Sequence, residues 1–313
     1  MTAGSDAGYT PRDREKSNEV GRPGFLTRKA QGNRRSRRGI RSYRTGVEQK
    51  LCDKQESVDR PDSAEDGETR PLLSADKERY VRAMFAGIAP RYDLLNTLLS
   101  FNQHKAWRRL AVRMAQVRPG NCCLDICTGT GDFAVDLARA VGPAGRVIGA
   151  DFCEPMIRTG LDKTERAGGG RIAMMVANAE ALPYASDRFD AATVGFGIRN
   201  VAHIERAVGE MARVVRPGGR VVILEFTRPR PSWFRPLVDL YLFSILPRIG
   251  GLLSRREAYS YLPESMRAFV SREELAAVME RAGLRDIRMR DLNLGTVCIH
   301  LGTKPAESPP DNA

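Results

Sequence analysis

The sequence has few of the residues that build metal sites and disulfide frameworks. Its 313 residues include 3 histidines and 6 cysteines, and no two cysteines have the CxxC spacing. The histidines, at positions 104, 203 and 300, are too scattered to indicate a cluster of metal ligands. Because several cysteines lie in apolar, strand-like stretches, we expect buried reduced thiols, and we expect neither disulfides nor a bound metal.

Long hydrophobic runs are also absent. The sequence has no stretch of about 20 apolar residues, the length that a helix needs to cross a bilayer, and it has no apolar core of a secretory signal. The most apolar region, within residues 228–270, is interrupted by Pro236, Asp239 and Pro247. The sequence therefore predicts a cytoplasmic protein without a membrane span.

Charged residues are plentiful but unevenly distributed. The chain has 50 Lys and Arg against 38 Asp and Glu, a formal net charge of +12. Residues 1–50 contain 13 basic and 5 acidic residues, whereas residues 51–75 contain 3 and 7. Because these residues show almost no apolar periodicity, we predict a disordered basic and acidic extension over residues 1–75. A short disordered tail is predicted over residues 305–313.

The most informative motif is a glycine turn between an apolar strand and a helix. Residues 123–132 read CLDICTGTGD, and the next strand pattern ends at Asp151. Gly129 and Gly131 allow the backbone to pass close to a ligand, and the following helix presents free N–H groups at the same place. Asp125 could accept a hydrogen bond from a ligand ammonium, and Asp151 could accept two ribose hydroxyls. The arrangement suits the amino acid and ribose of S-adenosylmethionine.

The turn alone does not decide between two kinds of ligand. The spacing Gly129-x-Gly131-x-x-Ala134, with an acid downstream, also fits a dinucleotide-binding turn. NAD(P) binding, and a tight turn without any ligand, therefore stay open at this point beside binding of a methyl donor.

The remaining strand and helix patterns separate these alternatives. Five strand patterns alternate with helical patterns and indicate a parallel sheet with right-handed crossovers. A capping box at Ser271 and Glu274 begins a further helix, and the last two strand patterns are separated by a connection so short that they should form an antiparallel hairpin. The predicted strands span residues 122–126, 146–151, 172–178, 189–196, 220–226, 286–292 and 296–302.

A seven-stranded, mostly parallel sheet with a C-terminal antiparallel hairpin resembles the class I methyltransferase (Rossmann-like) architecture. A dinucleotide-binding domain would continue with another parallel unit. We therefore predict an α/β domain of the methyltransferase class over residues 76–304. It would include an N-terminal helical segment over 76–118 and a lid-like insertion over 228–270.

Several segments go beyond a generic fold. YDLLNTLLSFNQHKAW (92–107) and RVVRPGGRVVILEFT (213–227) resemble the two signature stretches of the ubiquinone/menaquinone biosynthesis C-methyltransferase family. ANAEALPY, FGIRN, YLPES and IHLGTK are similar to further family segments, and all occur in the family's order between residues 77 and 304. Where the family often has serine, this chain has Gly195, so that contact is not carried over; Leu95 and Thr227 are milder departures.

The resemblance implies S-adenosylmethionine as methyl donor, with contacts at Thr130, Asp151, Asn178 and Ala179. Together with the glycine turn, the predicted donor-binding residues are Asp125, Gly129, Thr130, Gly131, Asp151, Asn178 and Ala179.

The family's reaction is methylation of a ring carbon of a reduced polyprenyl quinone. The resemblance thus implies conversion of demethylmenaquinol to menaquinol, the methoxy-benzoquinol step of ubiquinone biosynthesis, or both. Arg199, in FGIRN, is the candidate catalytic cation that would favour ionisation of the ring hydroxyl; a structural ion pair with a nearby acid is the alternative. His104 and His300 are candidate proton acceptors, for which a structural role is the simpler interpretation.

The substrate's prenyl tail has consequences for partners and location. Extracting it from the bilayer would cost about 0.8 kcal/mol per CH₂, so the resemblance implies an enzyme peripherally associated with the inner face of the membrane. Homodimerisation and contacts with other quinone-biosynthesis enzymes stay open. The alternative function is methylation of another small molecule or of RNA, but residues 77–304 lack the interleaved aromatic and basic residues that bind single-stranded RNA.

Overall fold

The computed structural model describes residues 74–245, 248 and 256–306, and at residues 74, 75, 245 and 256–260 it describes the backbone alone. The predicted extension over residues 1–75 and the predicted tail over 305–313 lie outside the described residues, apart from two residues at the inner end of each. The middle of the insertion, which contains Pro247, also lies outside them.

One seven-stranded sheet runs through the described residues. Its strands are β1 Cys122–Ile126, β2 Arg146–Asp151, β3 Ile172–Val176, β4 Phe189–Gly195, β5 Val215–Phe226, β6 Arg285–Leu292 and β7 Val297–Thr303. Their order is β3-β2-β1-β4-β5-β7-β6. The pairs among β1 to β5 are parallel, whereas β7 is antiparallel to both β5 and β6. The predicted class I methyltransferase sheet and its C-terminal hairpin are confirmed.

Two strands differ from their predicted bounds by more than one residue. β5 begins at Val215 rather than at residue 220, because Val215 already pairs with Phe189 before the register shifts. β3 ends at Val176 rather than at residue 178, because the chain turns there and Asn178 forms an isolated bridge with Ala181. The second difference leaves Asn178 in a loop beyond the sheet.

Helices cover both faces of the sheet. Those that the structure describes are α1 Ser74–Ile88, α2 Tyr92–Leu99, α3 His104–Ala115, α4 Asp132–Val141, α5 Glu154–Gly168, α6 Ile204–Val214, α7 Arg235–Leu240, α8 Arg256–Ala268 and α9 Arg272–Arg281. On one face α3 packs against β5 and β7, α4 packs against β1 and β2, and the shared core of these elements includes Leu137. On the other face α6 and α9 bury Met211 and Met279. Burial on both faces explains why the central strands are apolar along their whole length.

The N-terminal helices and the insertion meet above one end of the sheet. The helical segment is interrupted near Pro90, which lies in a 3₁₀ turn between α1 and α2. Ile88 and Leu95 form a small core with Tyr241, Leu242 and Leu262, all of which belong to the insertion. These two parts of the chain therefore pack against each other.

The insertion contains two helices of different character. α7 buries none of its side chains, whereas α8 contributes Leu262 to the small core. Among the described residues, no helix combines the length and the apolar character that a membrane span requires. The predicted capping box of α9 is present, with the Ser271 side chain accepting from the Glu274 N–H and the Glu274 side chain accepting from the Ser271 N–H.

Candidate active site

Two adjoining cavities open where β1, β2 and β4 end. The small cavity is lined by Gly129, Asp151, Asn178 and Ala179 among others, and the large cavity is lined mainly by apolar residues of α1, α2, α3 and the insertion. The two cavities share Phe85, Tyr92, Cys127, Gly195 and Phe196. β1 has β2 on one side and β4 on the other, and such a switch point is where open α/β sheets bind their ligands.

The glycine turn between β1 and α4 requires its glycines. Gly129 and Gly131 have φ values of 57° and 84°, in the left-handed region. A Cβ on Gly131 would lie 2.5 Å from the side chain of Thr164, so no other residue fits there. The Gly129 N–H donates to Asp151 Oδ2 at 2.8 Å. The turn is thereby fastened to the end of β2, and one carboxylate is fixed at the wall of the small cavity.

Two carboxylates are buried beside this turn. Asp125, 1% exposed, accepts hydrogen bonds from the hydroxyls of Thr128 and Thr193. Asp151 accepts from the N–H groups of Gly129 and Cys153, each at 2.8 Å. Burial raises the pKa of Asp125 to about 7, against the opposing effect of the two hydroxyls. Burial likewise raises the pKa of Asp151 to about 6, against the two N–H groups.

These carboxylates fit S-adenosylmethionine. Neither forms an ion pair with a cation in the part of the chain that the structure describes, and a buried carboxylate without a countercharge is costly. A ligand that brings an ammonium group and hydroxyl donors would supply what both carboxylates lack. Asn178 uses Oδ1 to accept from the Glu180 N–H at 2.9 Å, which leaves its side-chain N–H₂ group available to a ligand.

The predicted donor-binding residues divide between the two cavities. Gly129, Asp151, Asn178 and Ala179 line the small cavity, whereas Asp125 and Thr130 line the large one. Gly131 lines neither of these two cavities, and its contribution is the shape of the turn.

Thr130 belongs to a polar network at the wall of the large cavity. Its hydroxyl donates to Asp93 Oδ1 at 2.6 Å and accepts from Lys163 Nζ at 2.9 Å. Lys163 also forms ion pairs with Asp93 on α2 and Asp132 on α4, at 2.6 and 2.7 Å. The side chain that the resemblance assigns to the donor thus also joins α2 and α5 to the glycine turn.

The large cavity has an aromatic wall. The ring centroid of Phe196 lies 6.0 Å from that of Trp107 and 4.6 Å from that of Phe226. Phe196 has a φ of 57°, a strained conformation for a bulky residue, and such strain concentrates at functional sites. Leu95 and Leu262 line the same cavity. The cavity suits a flat ring with an apolar substituent.

Arg199 lines the large cavity and is paired with a buried acid. Its side chain is 7% exposed and lies 2.9 Å from Glu225 Oε1, whose side chain is fully buried. The same Nη1 donates to the Phe196 carbonyl, and Nε donates to Ser265 Oγ at 3.4 Å. Nη2 donates to none of the described residues, so two N–H groups remain for a ligand. Burial raises the pKa of Glu225, and the nearby Arg199 opposes that shift.

Glu225 was missed in the sequence analysis, although a signal was present. It follows the apolar run VVIL at the end of β5, and an acid in such a run needs a buried partner. Asp93 and Lys163 left no comparable signal, because they come from distant helices and are partly exposed.

The structure also shows the surroundings of four further residues from the family-like segments and the histidines. A Cβ at Gly195 would lie 2.8 Å from the ring of Phe133, which therefore occupies the space of the missing serine side chain. Asn200, in the segment FGIRN, accepts a hydrogen bond at its Oδ1 from the Tyr261 hydroxyl at 3.1 Å. His104 lines the large cavity. His300 is buried in β7, where its Nε2 lies 2.9 Å from the Arg272 carbonyl.

Metal ligands are not grouped at this site. Within the described residues, no three or more His, Cys, Asp or Glu side chains are placed to hold a metal ion together.

Comparisons with known proteins identify the family of the chain. Residues 73–304 match the model of the ubiE/COQ5 methyltransferase family. The chain is 45% identical over 230 residues to the ubiquinone/menaquinone biosynthesis C-methyltransferase UbiE of Geobacter sulfurreducens, a match that covers 73% of this chain and 90% of that protein. It is 40% identical over 234 residues to the demethylmenaquinone methyltransferase of Bacillus cytotoxicus, covering 74% and 99%.

A structural comparison supports the fold alone. A solved complex of the Haloferax volcanii Trm112 methyltransferase activator with a methyltransferase contains a chain that matches 71% of this chain and 97% of its own length, with a TM-score of 0.52 and 15% identity. The match to the family model and the two bacterial relatives carries the assignment: the chain belongs to the ubiE/COQ5 methyltransferase family.

Proposed function

We propose that this methyltransferase transfers the methyl group of S-adenosylmethionine to a ring carbon of a reduced polyprenyl quinone. The observation that carries the proposal is the large apolar cavity with its aromatic wall, which adjoins the small polar cavity beside the glycine turn. A donor that extends from the small cavity to Asp125 and a ring in the large cavity would meet near the residues that line both.

The chain's own residues suit the binding of the donor. When bound, S-adenosylmethionine supplies an electrophilic methyl group on a positively charged sulfur. Asp151 is held by two N–H groups and is oriented to accept hydroxyls, while Asp125 would accept from an ammonium. Since both are buried, each hydrogen bond to a charged group is worth about 1.5–3 kcal/mol.

Arg199 is suited to favour ionisation of the acceptor. A phenol has a pKa of about 10, so its ionisation at pH 7 costs about 4 kcal/mol, and a nearby cation can lower that pKa by about 1–3 units. Because Glu225 compensates the charge of Arg199, we assign the effect chiefly to the two N–H groups of Nη2, which would donate to the ring oxygen as its negative charge develops.

Two ring systems remain candidates for the acceptor. The name of the Bacillus cytotoxicus relative points to a demethylmenaquinol, and the name of the Geobacter sulfurreducens relative refers to both ubiquinone and menaquinone. We propose a demethylated naphthoquinol as the primary acceptor, because the wall formed by Trp107, Phe196 and Phe226 presents an extended aromatic surface to which a fused ring would pack more fully. RNA and unrelated small molecules are not favoured, since family membership supports the quinone pathway.

A membrane-facing surface would give access to such a substrate. Phe101, Trp233, Leu237 and Leu240, named here the apolar rim, are 74%, 71%, 57% and 53% exposed. The ring of Phe101 lies 6.2 Å from that of Tyr241, which lines the large cavity. The rim is therefore next to the cavity, and it is where we propose that the enzyme rests on the inner face of the membrane.

The acceptor can be identified by its product. The full chain is incubated with labelled S-adenosylmethionine and, separately, with a demethylated naphthoquinol and a demethylated methoxy-benzoquinol, both kept reduced, and the products are identified by mass. We expect C-methylated naphthoquinol. Label in neither quinol would contradict the proposed function, and preferential label in the benzoquinol would replace the proposed acceptor.

A further inference from the structure

His104 is a buried side chain that the proposed reaction does not yet use. It is the first residue of α3, it is 4% exposed, and it lines the large cavity together with the aromatic wall. Its Nδ1 lies 2.7 Å from Ser100 Oγ. None of the described residues forms a hydrogen bond with its Nε2, and that atom is not among the sealed, unpartnered atoms of the interior. Nε2 is thus open to the cavity.

The partner of Ser100 determines which nitrogen of His104 carries the proton. The Ser100 hydroxyl donates its single hydrogen to the Asn96 carbonyl at 2.6 Å. The oxygen of Ser100 can then only accept from Nδ1, so a neutral His104 must carry its proton on Nδ1. Nε2 is left as a hydrogen-bond acceptor with a lone pair, to which none of the described residues donates.

The surroundings keep this imidazole neutral. Burial lowers the pKa of His104 to about 4, with Arg108 and Lys105 acting in the same direction and Asp132 and Asp93 opposing them. The other titratable or cationic groups that line the cavity are Tyr92, Asp125, Cys127, Arg199, Tyr241 and Tyr261. At neutral pH the ring therefore presents a free lone pair to whatever occupies the cavity.

We propose that His104 Nε2 accepts the hydrogen of a ring hydroxyl of the quinol and so orients the ring and enriches its reacting carbon in electrons. This inference rests on the proposed function for the identity of its ligand. Ser100 acts through His104, as a positioning residue that holds the Nδ1–H tautomer.

The proton balance of the reaction gives this contact a role. As the ring hydroxyl gives up its proton, negative charge develops on its oxygen, the ring carbon bonds to the methyl carbon and the methyl–sulfur bond breaks. The hydroxyl proton moves to Nε2, which leaves a neutral dienone and an imidazolium. The proton on the methylated carbon is then lost to water while Nε2 returns its proton to the oxygen. The ring is aromatic again, His104 is neutral, and one proton has been released overall.

The tautomer is tested without any turnover. In protein containing nitrogen-15-labelled histidine, we expect the His104 signals of a ring protonated on Nδ1, assigned through His104→Gln. Ser100→Ala should convert them to a mixture of both tautomers. A wild-type ring protonated on Nε2 would overturn the proposal.

The chemical role is tested with a demethylated naphthoquinol that carries a short prenyl tail. His104→Gln should lower kcat by about a hundredfold, the usual loss for a positioned proton acceptor, with S-adenosylmethionine affinity unchanged. Ser100→Ala should lower kcat less and shift its pH profile. The matched control is His203→Gln, the same change at an exposed histidine outside both cavities.

Failure of the role proposed for His104 can be distinguished from failure of the proposed function. If the wild type methylates the quinol and His104→Gln does so with a kcat within about threefold of it, the role of His104 is wrong and the proposed function stands. If the wild type leaves the quinol unmethylated, the proposed function falls, and the assignment of this ligand to His104 falls with it.

Discussion

At the scale of single residues, the pairing of Arg199 with Glu225 is the feature that most changes the interpretation of the site. The arginine predicted as a catalytic cation forms a buried ion pair, the alternative that the sequence left open, with its partner 2.9 Å away. Such pairs add little net stability, but removing one partner leaves the other charge buried and costs about 3–5 kcal/mol. Catalysis and folding therefore depend on the same side chain. A single substitution at Arg199 would lower both activity and stability, and the two effects could not be told apart.

A double substitution separates them. Arg199→Ala should lose both turnover and stability, because it removes the Nη2 donors and leaves Glu225 unpaired. Arg199→Met combined with Glu225→Gln removes both charges, so most of the stability should return while kcat stays at least about a hundredfold down. Urea unfolding and steady-state kinetics measure the two effects. Recovery of kcat in the double variant would show that Arg199 serves only the fold.

The raised pKa of Asp125 leads to a pH-dependent prediction. In the folded protein the pKa of Asp125 is about 7, whereas an aspartate in an unfolded chain has a pKa of about 3.9. The folded state thus binds more protons between these values, and its stability falls as the pH rises through that window, by up to about 4 kcal/mol. Asp125→Asn should remove this pH dependence of stability. The variant should therefore be more stable than the wild type at pH 8 and differ little from it at pH 4.

The same substitution should weaken binding of the methyl donor. The ligand's ammonium would favour the ionised carboxylate, so binding to the wild type near pH 6.5 should release protons, and binding to Asp125→Asn should be weaker by about 1.5–3 kcal/mol and release fewer. Calorimetry in two buffers of different ionisation enthalpy measures the release. Equal proton release by both proteins would mean that Asp125 does not contact the ammonium.

At the scale of elements, Lys163 on α5 connects α2 and the glycine turn. Because Lys163 and Asp93 are 30% and 47% exposed, the pair should contribute no more than about 1 kcal/mol. Lys163→Met should therefore leave global stability nearly unchanged. It should speed amide exchange in α2 by up to about fivefold, because local opening of α2 breaks the contact with Lys163. Arg158→Met, on the same helix and in a pair confined to it, is the control. Equal exchange in both variants would contradict the connecting role.

The elements were largely predictable from the sequence, and the side-chain pairs were not. The short apolar runs of the strands, the glycines of the turn and the capping box at Ser271 are local signals, so they could be placed to within a few residues. The partner of Arg199 is 26 residues away along the chain, and Asp93 lies 70 residues from Lys163. Contacts of that kind depend on how helices pack over the sheet, which periodicity does not encode. The tautomer of His104 depends on three hydrogen-bonding groups at once, and it is visible only with all of them in place.

At the scale of the whole molecule, the apolar rim is accompanied by arginines of the same segment. Segment 228–248 contains Arg228, Arg235 and Arg248, none of which forms an ion pair with an acid that the structure describes. Arg230 is already paired with Asp291 and Glu273. Exposed apolar side chains flanked by arginines are typical of surfaces that lie in the bilayer interface and favour anionic lipids.

Replacing two residues of the rim should therefore uncouple the enzyme from membranes without harming its chemistry. Each of Trp233 and Leu237 is expected to contribute about 1.5–3 kcal/mol when buried in the interface, so Trp233→Ser with Leu237→Ser should reduce sedimentation with anionic phospholipid vesicles by more than about tenfold. Turnover of a short-tailed quinol in detergent should stay unchanged, because no residue of the pair lines either cavity. Leu161→Ser, at a 47% exposed leucine on α5, is the matched control. Sedimentation equal to that of the wild type would exclude this surface, and the enzyme would then have to reach its quinol through another face.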